Sequence, residues 1–170
     1  MTREQQQRTK IKICGLKRPE DITYVNEAKP DYCGFIIEFP KSSRNVTGAL
    51  VRELTAKLNP DIIPVGVFVN VAPERVEELL LDGTIHIAQL HGQEDETYIR
   101  ELKQLSDKPI IKAFSVKTAE DIPKGKIFDC MEALKKVTVT APVQIGEVII
   151  KNVCGTGVDV IATKKVNALT

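Results

Sequence analysis

Five short apolar runs, each followed by a polar or helical segment, constrain this chain more than any other feature. Residues 11–14, 32–37, 62–69, 85–90 and 109–114 are strongly hydrophobic and rich in Val and Ile. Pro19-Glu20-Asp21 opens the first intervening helix, with proline and two acids in the turn where the helix dipole favours them. Residues 47–58 form a second helix. Ala72-Pro73-Glu74 starts a third, which carries Val76, Leu79 and Leu80 at helical spacing, and residues 94–105 form a fourth. Strands that are apolar on both faces and alternate with helices indicate a parallel sheet covered by those helices. Right-handed crossovers repeated in this way give either a doubly wound sheet or a (β/α)8 barrel, and the pattern alone does not choose.

After Phe114 the texture changes. Residues 115–122 continue as the start of a connecting helix, and residues 123–136 read as a single helix with Ile127, Met131 and Leu134 on one face. Residues 137–140, 147–153 and 158–163 are then β-branched runs, punctuated by Ala141-Pro142, Ile145-Gly146 and Gly155-Thr156-Gly157. That spacing predicts a meander of short strands rather than further βα units. The expected organisation is a disordered polar tail over residues 1–10, a βα region over 11–121, and a helix plus β-rich tail over 122–170, with a seam near Asp121 to Pro123.

Charge narrows the class of partner. Twenty-four Lys and Arg against twenty-three Asp and Glu leave a formal charge of +1, with no basic excess to attract nucleic acid or an anionic membrane. No apolar run approaches the ~20 residues needed to span a bilayer, and residues 1–10 lack the apolar stretch of a secretory signal. Cys14, Cys33, Cys130 and Cys154 are far apart and form no CxxC pair, so neither a zinc ribbon nor a redox dithiol is encoded locally. A reduced, cytoplasmic protein is the expectation. Cys33, inside an apolar strand, reads as a buried structural thiol.

Lys12-Ile13-Cys14-Gly15 ends the first strand with a thiol followed at once by glycine. In a βα-repeat chain, the C-terminal ends of the strands are where active sites are built. Cys14 is therefore either a reactive group or, as cysteine often is, a small buried hydrophobe. Arg44 closes Pro40-Lys41-Ser42-Ser43-Arg44 and is either an anion-binding or a solvated loop arginine. Gln89 and His91, at the end of the fourth strand, are either ligand contacts or hydrogen-bonding support. His86, on another phase of that strand, reads as structural.

These segments, with Gly34 to Arg44, Val65-Gly66-Val67-Phe68-Val69-Asn70 and Ala88-Gln89-Leu90-His91-Gly92, closely resemble the phosphoribosylanthranilate isomerase family over residues of about 10–121. The resemblance implies an α/β fold, here an incomplete (β/α)8 TIM-type barrel of about five βα units followed by a helix and a short β-rich tail. It also implies an Amadori rearrangement of a phosphorylated aminosugar in tryptophan biosynthesis, with no metal or organic cofactor. Cys14 would be the base, Arg44 would bind the substrate carboxylate, and Gln89 and His91 would line the mouth. The family's general acid is an aspartate closing a later apolar strand. Ile127-Phe128-Asp129 echoes it, but lies too few residues beyond Phe114 for an intervening helix and its turns, so Asp129 is not the expected acid. The glycine-rich phosphate loop also has no counterpart, because Gly155-Thr156-Gly157 leads into a strand pattern.

Residues 122–166 resemble instead the end of a small uncharacterised bacterial family that neighbours glycerol-3-phosphate oxidases. The residues that carry this are Ala141-Pro142-Val143-Gln144-Ile145-Gly146 and Gly155-Thr156-Gly157-Val158-Asp159-Val160. The chain thus reads as a chimera. Five strands cannot close a barrel, so open edges are expected to drive self-association unless the tail's strands cover one of them.

Overall fold

The computed structural model describes residues 10–115, 148–150 and 158–163. The order of elements is β1 (Lys12–Cys14), α1 (Pro19–Ala28), β2 (Tyr32–Ile37), β3 (Asn45–Val46), α2 (Gly48–Thr55), β4 (Ile63–Phe68), α3 (Pro73–Leu81), β5 (Ile87–Leu90), α4 (Glu96–Leu105), β6 (Ile110–Ser115), β7 (Val148–Ile150) and β8 (Val158–Thr163). One sheet runs β1-β2-β4-β5-β6-β8-β7, with the two-residue β3 beside the end of β2. All pairings are parallel except β7 with β8. This is the α/β fold that alternating apolar strands and helices predict.

Strand alternation divides the sheet into two unlike faces. Cys33, Phe35 and Ile37 from β2, Phe68 from β4, Ala88 and Leu90 from β5, and Ile110 from β6 belong to the main core. Helices close over them with Ile22 and Val25 from α1, Val51 and Leu54 from α2, Val76, Leu79 and Leu80 from α3, and Ile99 and Leu102 from α4. Full burial of each such side chain contributes roughly 1.5–3 kcal/mol, so this layer dominates the stability of the described region. The opposite face holds a much smaller apolar cluster, Ile111 and Ala113 with Ile87 against them.

Element boundaries differ from the sequence expectation where local capping wins. β5 starts at Ile87, not at residue 85, because the Ile85 N–H donates to the Leu79 carbonyl at 3.0 Å and serves to close α3. α2 starts after Thr47, whose hydroxyl accepts from the Leu50 N–H. α4 starts after Asp95, whose carboxylate accepts from the Tyr98 N–H at 3.0 Å. Glu94 is excluded from α4 because its side chain is turned inward.

The tail differs in a more consequential way. Two of the expected β-branched runs do contribute strands, but β8 is no meander strand against its predecessor alone. It runs parallel to β6 over six residue pairs, from Ile110 opposite Val158 to Ser115 opposite Thr163. Backbone groups of β6 that an arrest after the fifth strand would leave unpaired are thereby satisfied. The predicted helix at 123–136 and strand at 137–140, the polar tail at 1–9, Asp129 and Gly155-Thr156-Gly157 lie outside the described residues.

A buried ion pair ties β6 to the loops above β4 and β5. Glu94 and Lys112 meet at 2.7 Å with side chains only 1% and 4% exposed. Glu94 also accepts the Asn70 N–H at 2.7 Å and the Gly92 N–H at 2.8 Å, while Lys112 donates to the Gly92 carbonyl at 2.8 Å. Burial pushes the Glu94 carboxyl up, but the Lys112 ammonium and the Asn70 amide outweigh it and hold the group below the ordinary glutamate range. Lys112→Met should therefore cost about 3–5 kcal/mol in urea unfolding, because it leaves a buried carboxylate uncompensated. A loss under ~1 kcal/mol would contradict this account of the pair. A carboxyl depressed on folding adds stability that is present above its unfolded pKa and lost as pH falls through its folded value. Glu94→Gln should flatten that acid loss, as read from unfolding curves between about pH 5 and pH 2.

Candidate active site

The face of the sheet opposite the helices carries the candidate residues Cys14 and Gln89. Lys12 and Cys14 lie two residues apart on β1, and so on one face. Cys14 is half-buried and reduced. Gly34 stands opposite it on β2, and a methyl at that position would lie 2.6 Å from the Cys14 sulfur and 2.9 Å from Lys12 Cε. The glycine is a notch that admits both side chains. Cys33, the residue before it, faces the core with no exposure, and burial pushes its thiol up to about 12. Adjacent positions on one strand thus hold an inert sulfur and a space for an accessible one.

The turn after Cys14 depends on Gly15. Its φ of +92° is open to glycine but strained for any residue with a Cβ. The N–H groups of Gly15 and Leu16 both donate to the Gly34 carbonyl, at 2.8 and 3.1 Å. This sharp exit leaves the thiol at the strand's end instead of covering it with chain.

Arg44 reaches the same place from the β2–β3 loop. That loop is tightly tied. The Phe39 N–H donates to the Asn45 side chain at 2.5 Å, and the Arg44 N–H to the Ser42 hydroxyl at 3.1 Å. The Lys17 ammonium donates to the Ser43 carbonyl at 2.9 Å, joining the loop to the turn beyond β1. The Arg44 side chain then lies across Gly15, where an added Cβ would sit 2.5 Å from its Cδ and 3.0 Å from Nη1. The guanidinium has no acceptor among the described residues. Cys14, Gly15 and Arg44 border an open cavity of about 480 Å³ that runs along the β1–α1 edge past Ile13, Tyr24 and Ala28.

Gln89 and His91 come from the far side of the curl. Gln89 is 1% exposed, and its carbonyl accepts from the Lys12 ammonium, while its amide nitrogen lies 3.2 Å from His91 Nδ1. The amide donates there, so His91 Nδ1 is the acceptor nitrogen. Two strands, β2 and β4, separate β1 from β5. On a flat sheet that separation is ~14 Å, which two side chains cannot bridge. The Lys12–Gln89 bond therefore requires the sheet to curl toward this face, as a barrel does. His86 lies at the opposite end of β5, exposed beside Pro64 and Thr84, and takes no part.

The structure thus brings Cys14 and Arg44 to one rim and Gln89 and His91 to one strand end, the two pairs linked through Lys12. Sequence reading treated Lys12 only as a flank of the cysteine, although period-two alternation already places the two on one face. Gly34 and Lys17 were missed as well, since their parts depend on what lies across from them. Among the described residues no three His, Cys, Asp or Glu side chains cluster as metal ligands, and no helix is long and apolar enough to cross a membrane.

The βα region is similar to known proteins. The N-(5'-phosphoribosyl)anthranilate isomerase of Endomicrobium trichonymphae is 47% identical over 108 residues, 64% of this chain and 53% of that protein. The Clostridium acetobutylicum enzyme of the same name is 44% identical over 117 residues, 69% of this chain and 55% of that protein. The crystal structure of phosphoribosyl anthranilate isomerase from Thermotoga maritima superposes with a TM-score of 0.63 at 30% identity, covering 69% of this chain and 56% of that one. A further structure, a complex with reduced 1-(o-carboxyphenylamino)-1-deoxyribulose 5-phosphate, matches with the same score and identity. Residues 105–164 match a family described as protein of unknown function (DUF1667). The chain spans about half the length of the curated relatives it matches. Over that half, its βα units are similar to those of phosphoribosylanthranilate isomerases.

Proposed function

We propose that this chain carries the base and the carboxylate-binding side of a phosphoribosylanthranilate isomerase site, in a cytoplasmic protein of tryptophan biosynthesis. The reaction is the Amadori rearrangement of N-(5-phosphoribosyl)anthranilate to its aminoketose, without metal or organic cofactor. The observation that carries this reading is the approach of Cys14 and Arg44, whose guanidinium has no acceptor among the described residues, to the Gly15 turn at the C-terminal end of β1. The Cys14 thiolate takes the proton from C2 once the sugar ring has opened to the iminium. The C–H pair then becomes the C1–C2 double bond of the enolamine, and tautomerisation delivers the ketone. Arg44 can grip the anthranilate carboxylate through parallel N–H donors. Gln89 and His91 supply polar lining.

Turnover is expected to be weak. Ring opening needs an acid at the ring oxygen, and losing a positioned acid typically costs about 10²–10⁴ in rate. The sequence offers only Asp129 as an echo of that acid, and nothing resembling the phosphate loop.

A second reading, a non-catalytic chimera with at most a binding role, is favoured by the half-length match and by the distinct match over residues 105–164. We place the boundary between a partial barrel over 11–121 and a tail of different origin over 122–170. The second match begins upstream of that seam, so β6 lies in both. Among the described residues the sheet ends at β1, beside which Ile11, Ile13 and Tyr24 are 54%, 38% and 63% exposed. A second copy of this chain is the proposed occupant of that edge.

Loss of phosphoribosylanthranilate fluorescence on incubation with the purified chain tests the enzymatic reading. Cys14→Ala should lower kcat/KM by about 10²-fold or more. Arg44→Lys should raise KM roughly tenfold by removing the two-pronged grip. Full turnover in Cys14→Ala removes the cysteine from the mechanism, and no turnover in the wild-type chain selects the chimera. In sedimentation velocity the chain should associate, and Ile13→Lys with Tyr24→Lys should shift it toward monomer. A sharp wild-type monomer boundary with a cooperative melt counts against the edge contact.

A further inference from the structure

His91 stands just past the end of β5, and it is exposed. An exposed ring receives little packing, so its place is set by the backbone beneath it and by the Gln89 amide, 3.2 Å from its Nδ1. That backbone is tied on both sides. The His91 N–H donates to the Phe68 carbonyl at 2.8 Å, at the end of the β4–β5 ladder. In the two peptide units that follow, the Gly92 N–H donates to Glu94 Oε2 at 2.8 Å, the Gly92 carbonyl accepts from Lys112 at 2.8 Å, and the Gln93 N–H donates to the Asn70 side chain at 2.7 Å.

The supports are themselves fixed. Glu94 and Lys112 are buried against each other, and the second Glu94 oxygen accepts the Asn70 N–H at 2.7 Å. Asn70 is held in a left-handed conformation, φ +54°, which asparagine tolerates better than most side chains. Its side chain then covers Gly92, where an added Cβ would lie 2.5 Å from Oδ1. The Tyr98 hydroxyl donates to the next carbonyl, that of Val71, at 2.7 Å. A buried ion pair is weak evidence for stability as such, because apolar residues of similar volume often serve as well. Apolar residues cannot accept two N–H groups and donate to a carbonyl at set points, and this pair does both directly behind His91.

We infer that Glu94 and Lys112, with Asn70, are positioning residues that hold the backbone from His91 to Gln93 and so fix where the His91 ring stands at the site mouth. They act through His91, not on the reacting atoms. The inference rests on the reading of His91 as lining of that mouth, but its first readout needs no turnover.

The double variant Glu94→Leu with Lys112→Met separates geometry from stability in the full chain. It removes both charges together, so its urea midpoint should recover most of the loss expected for Lys112→Met alone. NMR relaxation then reads the rim. The wild-type His91, Gly92 and Gln93 amides should have order parameters of about 0.85, and in the double variant Gly92 and Gln93 should fall below about 0.6. The chain has two histidines, His86 and His91, so His86→Gln assigns their ring signals. Those of His91 should shift and lose order with the backbone, while those of His86, at the other end of β5, stay in place. If the chain turns over phosphoribosylanthranilate, kcat/KM should fall by up to about 10²-fold, the cost of a misplacement of roughly 1 Å.

Recovered stability with His91 and Gly92 unmoved overturns the inference and leaves the pair a stability element. A wild-type rim already below about 0.6 does the same. If the double variant does not fold, Asn70→Gly serves instead, since glycine keeps the left-handed backbone and removes only the side chain's hold on Gln93. It should lower the Gln93 order parameter and shift the His91 ring signals, and unchanged signals overturn the inference. A loosened His91 in a chain whose wild type shows no turnover keeps this inference and removes the enzymatic reading. Wild-type turnover that persists unchanged in a double variant with an ordered rim does the reverse.

Discussion

Sealing of one sheet face by helices is the constraint on which the rest of this structure depends. Phe35, Ile37, Phe68 and Leu90 must leave water, and α1 to α4 are the means. Because side chains alternate along a strand, burying that set sends Lys12, Cys14, Gln89 and Ile111 to the other face without further instruction. The candidate site is thus a by-product of core formation. A one-residue slip of β1 against β2 would put Ile13 on the site face and the thiol among the helices.

Polar groups on the site face are few and each has a physical task. Curling the sheet brings Lys12 within reach of Gln89, and their bond in turn holds the curl. Gly34 and Gly15 contribute by lacking side chains, one to make room beside the sulfur and one to turn the chain sharply behind it. On the helix side, the Glu94–Lys112 pair does comparable work by fastening two loops to β6. Both arrangements hold a lysine ammonium on a fixed acceptor, a carboxylate in one case and an amide carbonyl in the other.

Past β6 the molecule follows a different logic. β8 continues the parallel sheet and β7 reverses it, so the edge that a five-strand piece would expose is moved outward instead of being left at β6. Parallel pairing needs a long crossover between partners, and the 42 intervening residues between Ser115 and Val158 supply one. The stretch that matches a second family includes both β6 and β8.

Alternation of apolar strands with helices was enough to establish a parallel α/β sheet and to locate its strands within a few residues, because hydrophobic periodicity is local. Cys14, Arg44, Gln89 and His91 were singled out by the resemblance of their segments to a known family. The misjudged boundaries at Ile85, Thr47 and Glu94 all arise from caps and inward turns, which depend on atoms elsewhere in the fold. Tertiary structure alone decided that Lys12 belongs with Gln89, that Gly34 is a notch, that Arg44 crosses Gly15, and that β8 pairs with β6. Each is a contact between residues at least 20 positions apart, and such contacts exist only once the sheet has curled and the loops have closed over its end.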